Sequence, residues 1–255
     1  LSACAGLSYS ASLSLDGDGD FVEFVGTGVP TGSSPFTIGA WINPTSIPTG
    51  GGNGGQITFW GTEGPANAAN GLRLRGEGGT RHYFWGNDHD EDFPGGSIIG
   101  DTTGPNGDGW HHIAVTFDGA QTVQYWNGAP LGNPRAAAGV NVATDPTHRI
   151  GSRINAEFFH GFIDELSIWS VALGADDIAA GWNQPVDYTN PAVAPALVAY
   201  WNFDGGPDDL AGGDNVLTFQ GDSLIDGGAN APLIPEPSAA ALGALAALML
   251  LRRRR

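Results

Sequence analysis

The sequence predicts an all-β protein in which two antiparallel sheets pack as a β-sandwich, with a short apolar helix added at the C-terminus. Apolar and polar residues alternate with a period of two in short segments such as 36–43 and 110–117. An Asp-Gly pair at 118–119 and an Asn-Gly pair at 127–128 provide the backbone freedom that tight hairpins need. A hydrophobic content of 41% in 255 residues, with eight Trp and twelve Phe, is enough for one large core.

The individual elements follow from this alternation and from the Gly-rich segments that separate them. Strands are predicted at 21–25, 36–43, 56–60, 72–75, 81–86, 110–117, 121–126, 161–169, 197–203 and 214–219. One helix is predicted at 174–182, because Asp176 and Asp177 would lie in its first turn, where carboxylates interact favourably with the helix dipole. Gly/Pro-rich segments at 45–55 and 184–195 are predicted to be loops.

The charge of the chain limits its partners. All ten basic residues are Arg, against 27 acidic residues, and the formal net charge is −17. Because four of the Arg end the chain, the rest of it is still more acidic, which disfavours nucleic acid and bare anionic membranes as partners. Cations and neutral glycans remain compatible with this charge as partners. Cys4 is the only cysteine, which excludes an intrachain disulfide and a multi-thiolate metal site.

Three unlike features coincide at the C-terminus and resemble the PEP-CTERM sorting signal of exported bacterial proteins. They are Pro235, Glu236 and Pro237, then an apolar segment at 239–251, then Arg252, Arg253, Arg254 and Arg255. As a helix the apolar segment would span about 20 Å, less than a hydrocarbon core of ~30 Å. The resemblance implies an exosortase-type sorting protease as partner and transient membrane anchoring with the Arg cluster in the cytoplasm. It also implies export to the cell envelope, cell surface or extracellular matrix.

The body of the chain carries five motifs in a recognisable order. They lie at 14–23, 35–42, 109–128, 161–178 and 196–205, among them GWHHIAVTFDG followed by YWNG, and GFIDELSIW. Together they resemble the laminin-G-like jelly rolls of the concanavalin A-like lectin/glucanase superfamily. The resemblance implies a jelly roll over 10–221, followed by a spacer at 222–234 and the sorting tail at 235–255. Residues 1–9 are interpreted as the end of an export signal or as a linker.

An Asp-x-Asp-x-Asp run formed by Asp16, Asp18 and Asp20 is a candidate calcium site, because it groups hard oxygen ligands between glycines. The alternative is a solvated turn whose third Asp braces the strand start by accepting backbone hydrogen bonds. Asp164 is a fourth candidate ligand, because it is expected on a core-facing side of its strand, where a carboxylate needs a partner. Strand alternation places Glu165 on the opposite face and so predicts no catalytic carboxylate pair.

The densest charge run contains Asp88, Asp90 and Asp92. It is interpreted as an exposed acidic loop, or else as a cation site or ligand-facing loop at the rim of the sandwich. Tyr83 and Trp85 precede it and are candidates for stacking on sugar rings. His111 and His112 are predicted to face opposite ways, with the inward one buried and neutral.

Motifs for catalysis are absent from the sequence. It has no Glu-x-Asp-x-(x)-Glu strand, no Gly-x-Ser-x-Gly elbow, no His-Glu-x-x-His pair and no phosphate loop. We therefore predict an exported, non-catalytic binding or adhesion domain of the bacterial surface or matrix. Its ligand is expected to be a carbohydrate or a protein, and calcium is its one expected cofactor. A glycoside hydrolase or lyase acting around residues 88–92, or a purely structural matrix protein, is the alternative.

Overall fold

The computed structural model describes residues 11–46, 54–76, 78–84, 86–96, 109–144, 148–154, 156–190, 192, 194–228 and 231. Within them the chain forms fifteen strands and one helix. In chain order these are β1 (Ser12–Asp16), β2 (Phe21–Glu23), β3 (Phe36–Ser46), β4 (Gln56–Gly61), β5 (Ala69–Arg75), β6 (Gly79–Tyr83), β7 (Asp88–Asp92), β8 (His111–Phe117), β9 (Gln121–Trp126), β10 (Ala129–Ala136), β11 (His148–Ile150), β12 (His160–Trp169), α1 (Ala175–Gly181), β13 (Leu197–Trp201), β14 (Thr218–Gln220) and β15 (Leu224–Asp226).

The strands form two antiparallel sheets that pack face to face. The eight-stranded sheet has the order β10-β9-β8-β3-β12-β1-β15, and β13 also pairs with β12. The seven-stranded sheet has the order β14-β2-β11-β4-β5-β6-β7. Neighbours in these orders are mostly distant in sequence, so the sandwich is held together by long-range pairing. The predicted two-sheet antiparallel sandwich is confirmed.

Between the sheets lies one large core, and the period-two alternation of the strands supplies it. Aromatic side chains from both sheets meet there, and Phe36 contacts Trp60 edge to face with ring centroids 5.8 Å apart. Phe117 and Trp201 are completely buried in the same core. Helix α1 packs on the other side of the eight-stranded sheet, where its single buried residue, Ile178, contacts Ala114.

Several elements differ from the prediction. Residues 88–92 are a strand and not a loop, because the side chain of His89 is buried between the sheets and bonds Thr122 Oγ1 at 2.7 Å. Strands β10, β11 and β15 were not predicted. Since β15 pairs with β1, the sheet continues to Asp226, beyond the predicted domain end at residue 221 and into the predicted spacer.

None of the helices found in the described part of the chain is both long and apolar enough to span a membrane. The predicted leader at 1–9, the apolar segment at 239–251 and the sorting residues Pro235, Glu236, Pro237 and Arg252–Arg255 lie outside the described residues.

Candidate functional site

The outer face of the seven-stranded sheet gathers most of the cationic side chains of the body. Arg73, Arg75 and Arg81 project from β5 and β6, and Arg153 lies on the segment that follows β11. Arg149 on β11 lies on the same face, so this face holds five of the six Arg that precede the terminal Arg cluster. We call this surface the charged face.

A buried carboxylate organises one half of the charged face. Glu157 forms ion pairs with two arginines: its Oε2 lies 2.6 Å from Arg73 Nη1 and its Oε1 lies 2.9 Å from Arg153 Nη1. Its side chain is only 3% exposed. Arg153 also pairs with Glu63 at 2.7 Å. A charge buried to this degree is stable only when it is paired, so the three partners fix one another in place.

A polar cavity of about 210 Å³ opens beside this cluster. It is lined by Arg73, Tyr83, Gly86, Asp88 and Arg153. The Arg73 guanidinium lies 5.3 Å from the centre of the Tyr83 ring, within the range of a cation–π contact. We call this the sugar-sized cavity, because its volume is below the ~300–1,000 Å³ typical of drug-sized ligands.

Tyr83 does not present an open ring to solvent, as the interpretation as a stacking platform requires. Only 3% of the residue is exposed, and its hydroxyl donates to Gln56 Oε1 at 3.0 Å. Burial raises the pKa of this phenol, which therefore stays protonated. The ring lies across Gly71, where an added Cβ would overlap it. Trp85, the second predicted platform, lies outside the described residues.

The three aspartates of β7 are paired with arginines, whereas Glu91 pairs with His89. Asp90 accepts a hydrogen bond from Arg81 Nη2 at 2.6 Å, Asp88 lies 3.2 Å from Arg81 Nη1, and Asp92 contacts Arg75. Burial acts to raise the pKa of Asp90, but the Arg81 hydrogen bond and the surrounding arginine charges outweigh it, so the pKa is lowered. A carboxylate held ionised in this way suits binding and not proton donation.

The predicted cation cluster is only partly brought together. Carboxylate oxygens of Asp16 and Asp20 lie within 4.8 Å of each other and of Asp222, a residue that the sequence did not suggest. Asp20 accepts hydrogen bonds from the amides of Asp16 and Asp222, as the bracing interpretation predicts. The amide of Asp18 donates to Asp16 Oδ1, and the Asp18 carboxylate is not a member of the group.

Asp164 lies elsewhere, and its predicted orientation is wrong. A β-bulge interrupts the pairing of β12 with β3 between Asp164 and Ser167, and Glu165 has a φ of 51°. The extra residue at a bulge shifts the alternation. Asp164 and Glu165 therefore both face away from the core, while Leu166 returns to it.

The two adjacent carboxyl groups have separate partners. Asp164 Oδ2 accepts from the Ala231 amide at 2.9 Å, and Glu165 accepts from the Tyr200 hydroxyl. Burial raises the pKa of Asp164 well above its usual value, with a further contribution from the neighbouring Glu165 charge. Burial also raises the pKa of Glu165 to about 7, although the Tyr200 hydrogen bond opposes this shift.

The two histidines of β8 face opposite ways, as predicted. His111 stacks on Trp126 at 4.4 Å beside the core, and His112 packs against Trp41 and Trp182 on the outer face. Burial lowers the pKa of His112 to about 3, so this ring is neutral at physiological pH.

A match to a protein-family model identifies the family of this chain. A laminin G model, described as the concanavalin A-like lectin/glucanases superfamily, matches residues 16–179. The chain belongs to this superfamily. The match covers most of the sandwich and α1, so the predicted family resemblance is confirmed. No curated protein matches the chain at a significant level.

Two solved structures are similar to this chain over most of its length. A candidate carbohydrate-binding protein from Bacteroides ovatus superposes with a TM-score of 0.63 at 20% identity and covers 89% of this chain. The superposition spans 62% of that protein, so this chain corresponds to under two thirds of its length. A heptameric SAP-like pentraxin from Limulus polyphemus has a TM-score of 0.56 at 14% identity, covering 87% of this chain and 97% of the pentraxin. At these identities the likeness establishes the fold.

Proposed function

We propose that the body of this protein is a non-catalytic carbohydrate-binding domain and that a sugar binds in the sugar-sized cavity of the charged face. The observation that carries the proposal is the cavity of about 210 Å³ between Arg73, Tyr83, Asp88 and Arg153. A small polar space lined by charged side chains that can donate and accept hydrogen bonds suits the several hydroxyl groups of one sugar residue.

The ion pairs prepare the cavity for such a ligand. Glu157 forms ion pairs with Arg73 and Arg153, and Arg81 forms an ion pair with Asp88. Because these groups are already ordered, binding a sugar would cost little side-chain entropy. The Bacteroides ovatus protein described as a candidate carbohydrate-binding protein shares the fold, which agrees with the proposal without carrying it.

The proposal of a domain without catalysis rests on the state of the carboxylates on the charged face. A glycosidase needs one carboxyl group that stays protonated and a second one positioned to act on the same bond. Asp90 has a lowered pKa and is occupied by Arg81. This state argues against the alternative, a hydrolase or lyase centred on Asp88, Asp90 and Asp92. Turnover of a polysaccharide panel that is abolished by Asp90→Ala would favour that alternative.

A glycan array followed by titration calorimetry tests the sugar site. Arg153→Gln removes a cavity donor and should weaken binding of the best array ligand at least tenfold. Arg149→Gln is the matched control, because Arg149 is also paired with a glutamate, Glu23, on the same sheet but outside the cavity. Equal losses in both variants, or no ligand on the array, would overturn the proposal.

Calcium binding is proposed separately for Asp16, Asp20 and Asp222. The three carboxylates lie close enough to share a cation, although Asp20 already accepts two backbone amides. Calorimetry with calcium chloride and thermal melts with and without EDTA test it. Asp222→Asn should abolish any calcium-dependent rise of the melting temperature, and a melt that does not respond to EDTA would count against the site.

We further propose that the protein is exported and sorted to the bacterial surface or matrix through its C-terminal signal. This rests on the residues of the tail alone. Mass spectrometry of the mature C-terminus from the native host tests it. Loss of Arg252–Arg255 with cleavage near Pro235, Glu236 and Pro237 is expected, and an intact tail would contradict sorting by an exosortase-type protease.

A further inference from the structure

A second cavity, of about 580 Å³, lies on the opposite side of the molecule, between the outer face of the eight-stranded sheet and the cover formed by α1 and residues 182–187. We call it the helix pocket. Its floor is a row of small residues, Ser167, Gly39 and Ala114, which are direct neighbours across β12, β3 and β8. This row leaves the space beneath the helix open. The volume lies in the range of ~300–1,000 Å³ that is typical of ligand pockets.

Tryptophans and polar groups surround this floor. Trp41, Trp169 and Trp182 line the pocket, and Glu165 lies at the bulge beside it. Glu165 is 8% exposed, and among the described residues its carboxylate accepts one hydrogen bond, at Oε2 from Tyr200. The second oxygen, Oε1, accepts none there. Because Glu165 lines the cavity, this oxygen is available to accept a hydrogen bond from water or from a bound ligand.

Two further pocket residues carry polar atoms without partners. Trp41 Nε1 and His112 Nδ1 are buried and have no hydrogen-bond partner among the described residues. Both side chains line the helix pocket. Three side chains that are each at least nine-tenths buried thus leave polar atoms unused around one cavity. The Trp41 and His112 atoms are themselves almost inaccessible, so a ligand in the pocket would meet the rings of these side chains, and the polar group within its reach is the Glu165 carboxylate.

The charge around the helix pocket has one sign. Among the described residues its titratable lining groups are Glu165, Asp177, Asp187 and His112, and the histidine is neutral at physiological pH. None of the described residues that line it is an arginine, and the chain contains no lysine. Carboxylates and the faces of aromatic rings both attract cations, and they do so more strongly away from water.

We propose that the helix pocket is a binding site for an organic amine, with the apolar body of the ligand packed against the tryptophans and its ammonium group beside Glu165. Aliphatic or aromatic amines of one or two rings fit the volume and the charge. The site is separate from the sugar-sized cavity, because the two lie on opposite outer faces of the sandwich. Neither site depends on the other.

Titration calorimetry on the full chain tests the proposal with three probes of one shape. Tryptamine is the cation, tryptophol the neutral analogue and indole-3-propionate the anion. Tryptamine should bind at least tenfold more tightly than indole-3-propionate, with tryptophol between them. Equal affinities for tryptamine and tryptophol would indicate a pocket for neutral apolar molecules and would overturn the proposal, as would an absence of tryptamine binding.

Single substitutions test whether the amine binds in the helix pocket beside Glu165. Glu165→Gln keeps an acceptor for Tyr200 and should weaken tryptamine binding about tenfold. Asp176→Asn is the matched control, because it removes one negative charge from α1 at an exposed position that does not line the pocket. It should leave binding unchanged.

Ala114→Leu fills the floor and should abolish binding of all three probes. If this variant fails to fold, the comparison of Glu165→Gln with Asp176→Asn still decides the question. Equal tryptamine affinity in those two variants would refute the assignment of the ammonium group to Glu165.

Discussion

The outer faces of the two sheets differ in what covers them and in the kind of side chain they carry. The eight-stranded sheet is covered by α1, and its outer face is made of tryptophans, small residues and two buried carboxyl groups. The seven-stranded sheet has no helix over it among the described residues, and its outer face consists largely of arginines paired with acidic residues.

This difference determines the state of the carboxyl groups on each face. On the charged face, Asp90 has neighbouring arginines, and its pKa is lowered. On the covered face, Glu165 and Asp164 have no arginine partner in the described structure, and burial raises their pKa. One sandwich therefore offers an ionised, ordered polar surface on one side and an acidic, largely apolar pocket on the other.

The largest expected effect is at the centre of the charged face. Glu157→Gln leaves Arg73 buried without its counter-charge, and breaking a buried ion pair on one side costs about 3–5 kcal/mol. Urea unfolding should report a free energy of unfolding lower by that amount. Glu23→Gln is the control, since Glu23 pairs with Arg149 near the surface and should cost only ~0–1 kcal/mol. Equal costs would contradict the organising role of Glu157.

The next effect concerns the covered face and depends on pH. The pKa of Glu165 is raised from 4.5 to about 7, so the folded protein binds more protons than the unfolded chain between these values. Stability from this group is complete below pH 4.5 and is lost as the pH rises through 7, on the order of 3 kcal/mol in total. The free energy of unfolding of Glu165→Gln should lack this decline. Parallel pH profiles for the two proteins would show that Glu165 does not titrate in this window.

A smaller effect is expected where the Tyr83 ring crosses the strand beneath it. In Gly71→Ala the new methyl group would overlap the ring, and overpacking of this kind costs about 1–3 kcal/mol. Thermal and urea unfolding measure the loss. Gly205→Ala is the control, because an added Cβ there meets no atom within 4 Å. An unchanged stability in Gly71→Ala would mean that Tyr83 moves aside at little cost.

The smallest effect is expected at the edge of the charged face. Asp92 contacts Arg75, but its side chain is 81% exposed. An ion pair this open to water contributes ~0–1 kcal/mol. In urea unfolding, the free energy of unfolding of Asp92→Asn should therefore lie within that margin of the value for the parent protein. A clearly larger loss would show that the pairs along β7 act as one network.

The sequence specified much of the fold, and particular strands show why. In residues 36–42 and 111–117 every second side chain enters the main core, and this alternation follows directly from one face of a strand packing on a core. Strand β7 was misread as a loop because charged side chains dominate it. It pairs with β6, and its aspartates contact Arg81 on β6 and Arg75 on β5, which no local pattern links to the acidic run.

The candidate sites were less accessible from the sequence. Asp16 and Asp20 could be found because they lie in one run, whereas Asp222 follows some two hundred residues later and joins them only through β14, β15 and their neighbours. Glu157 gave no signal at all, since its role depends on arginines from two separate segments.

The sequence by itself thus determined the class of fold, the position of the helix and the acidic character of the body, because these depend on local periodicity and composition. Only the tertiary structure decided which charges meet and which face each carboxyl group occupies. A single extra residue at the Glu165 bulge turned the expected opposite orientation of Asp164 and Glu165 into a shared one. The physical reason is that strand register and bulges are set by partner strands distant in the chain.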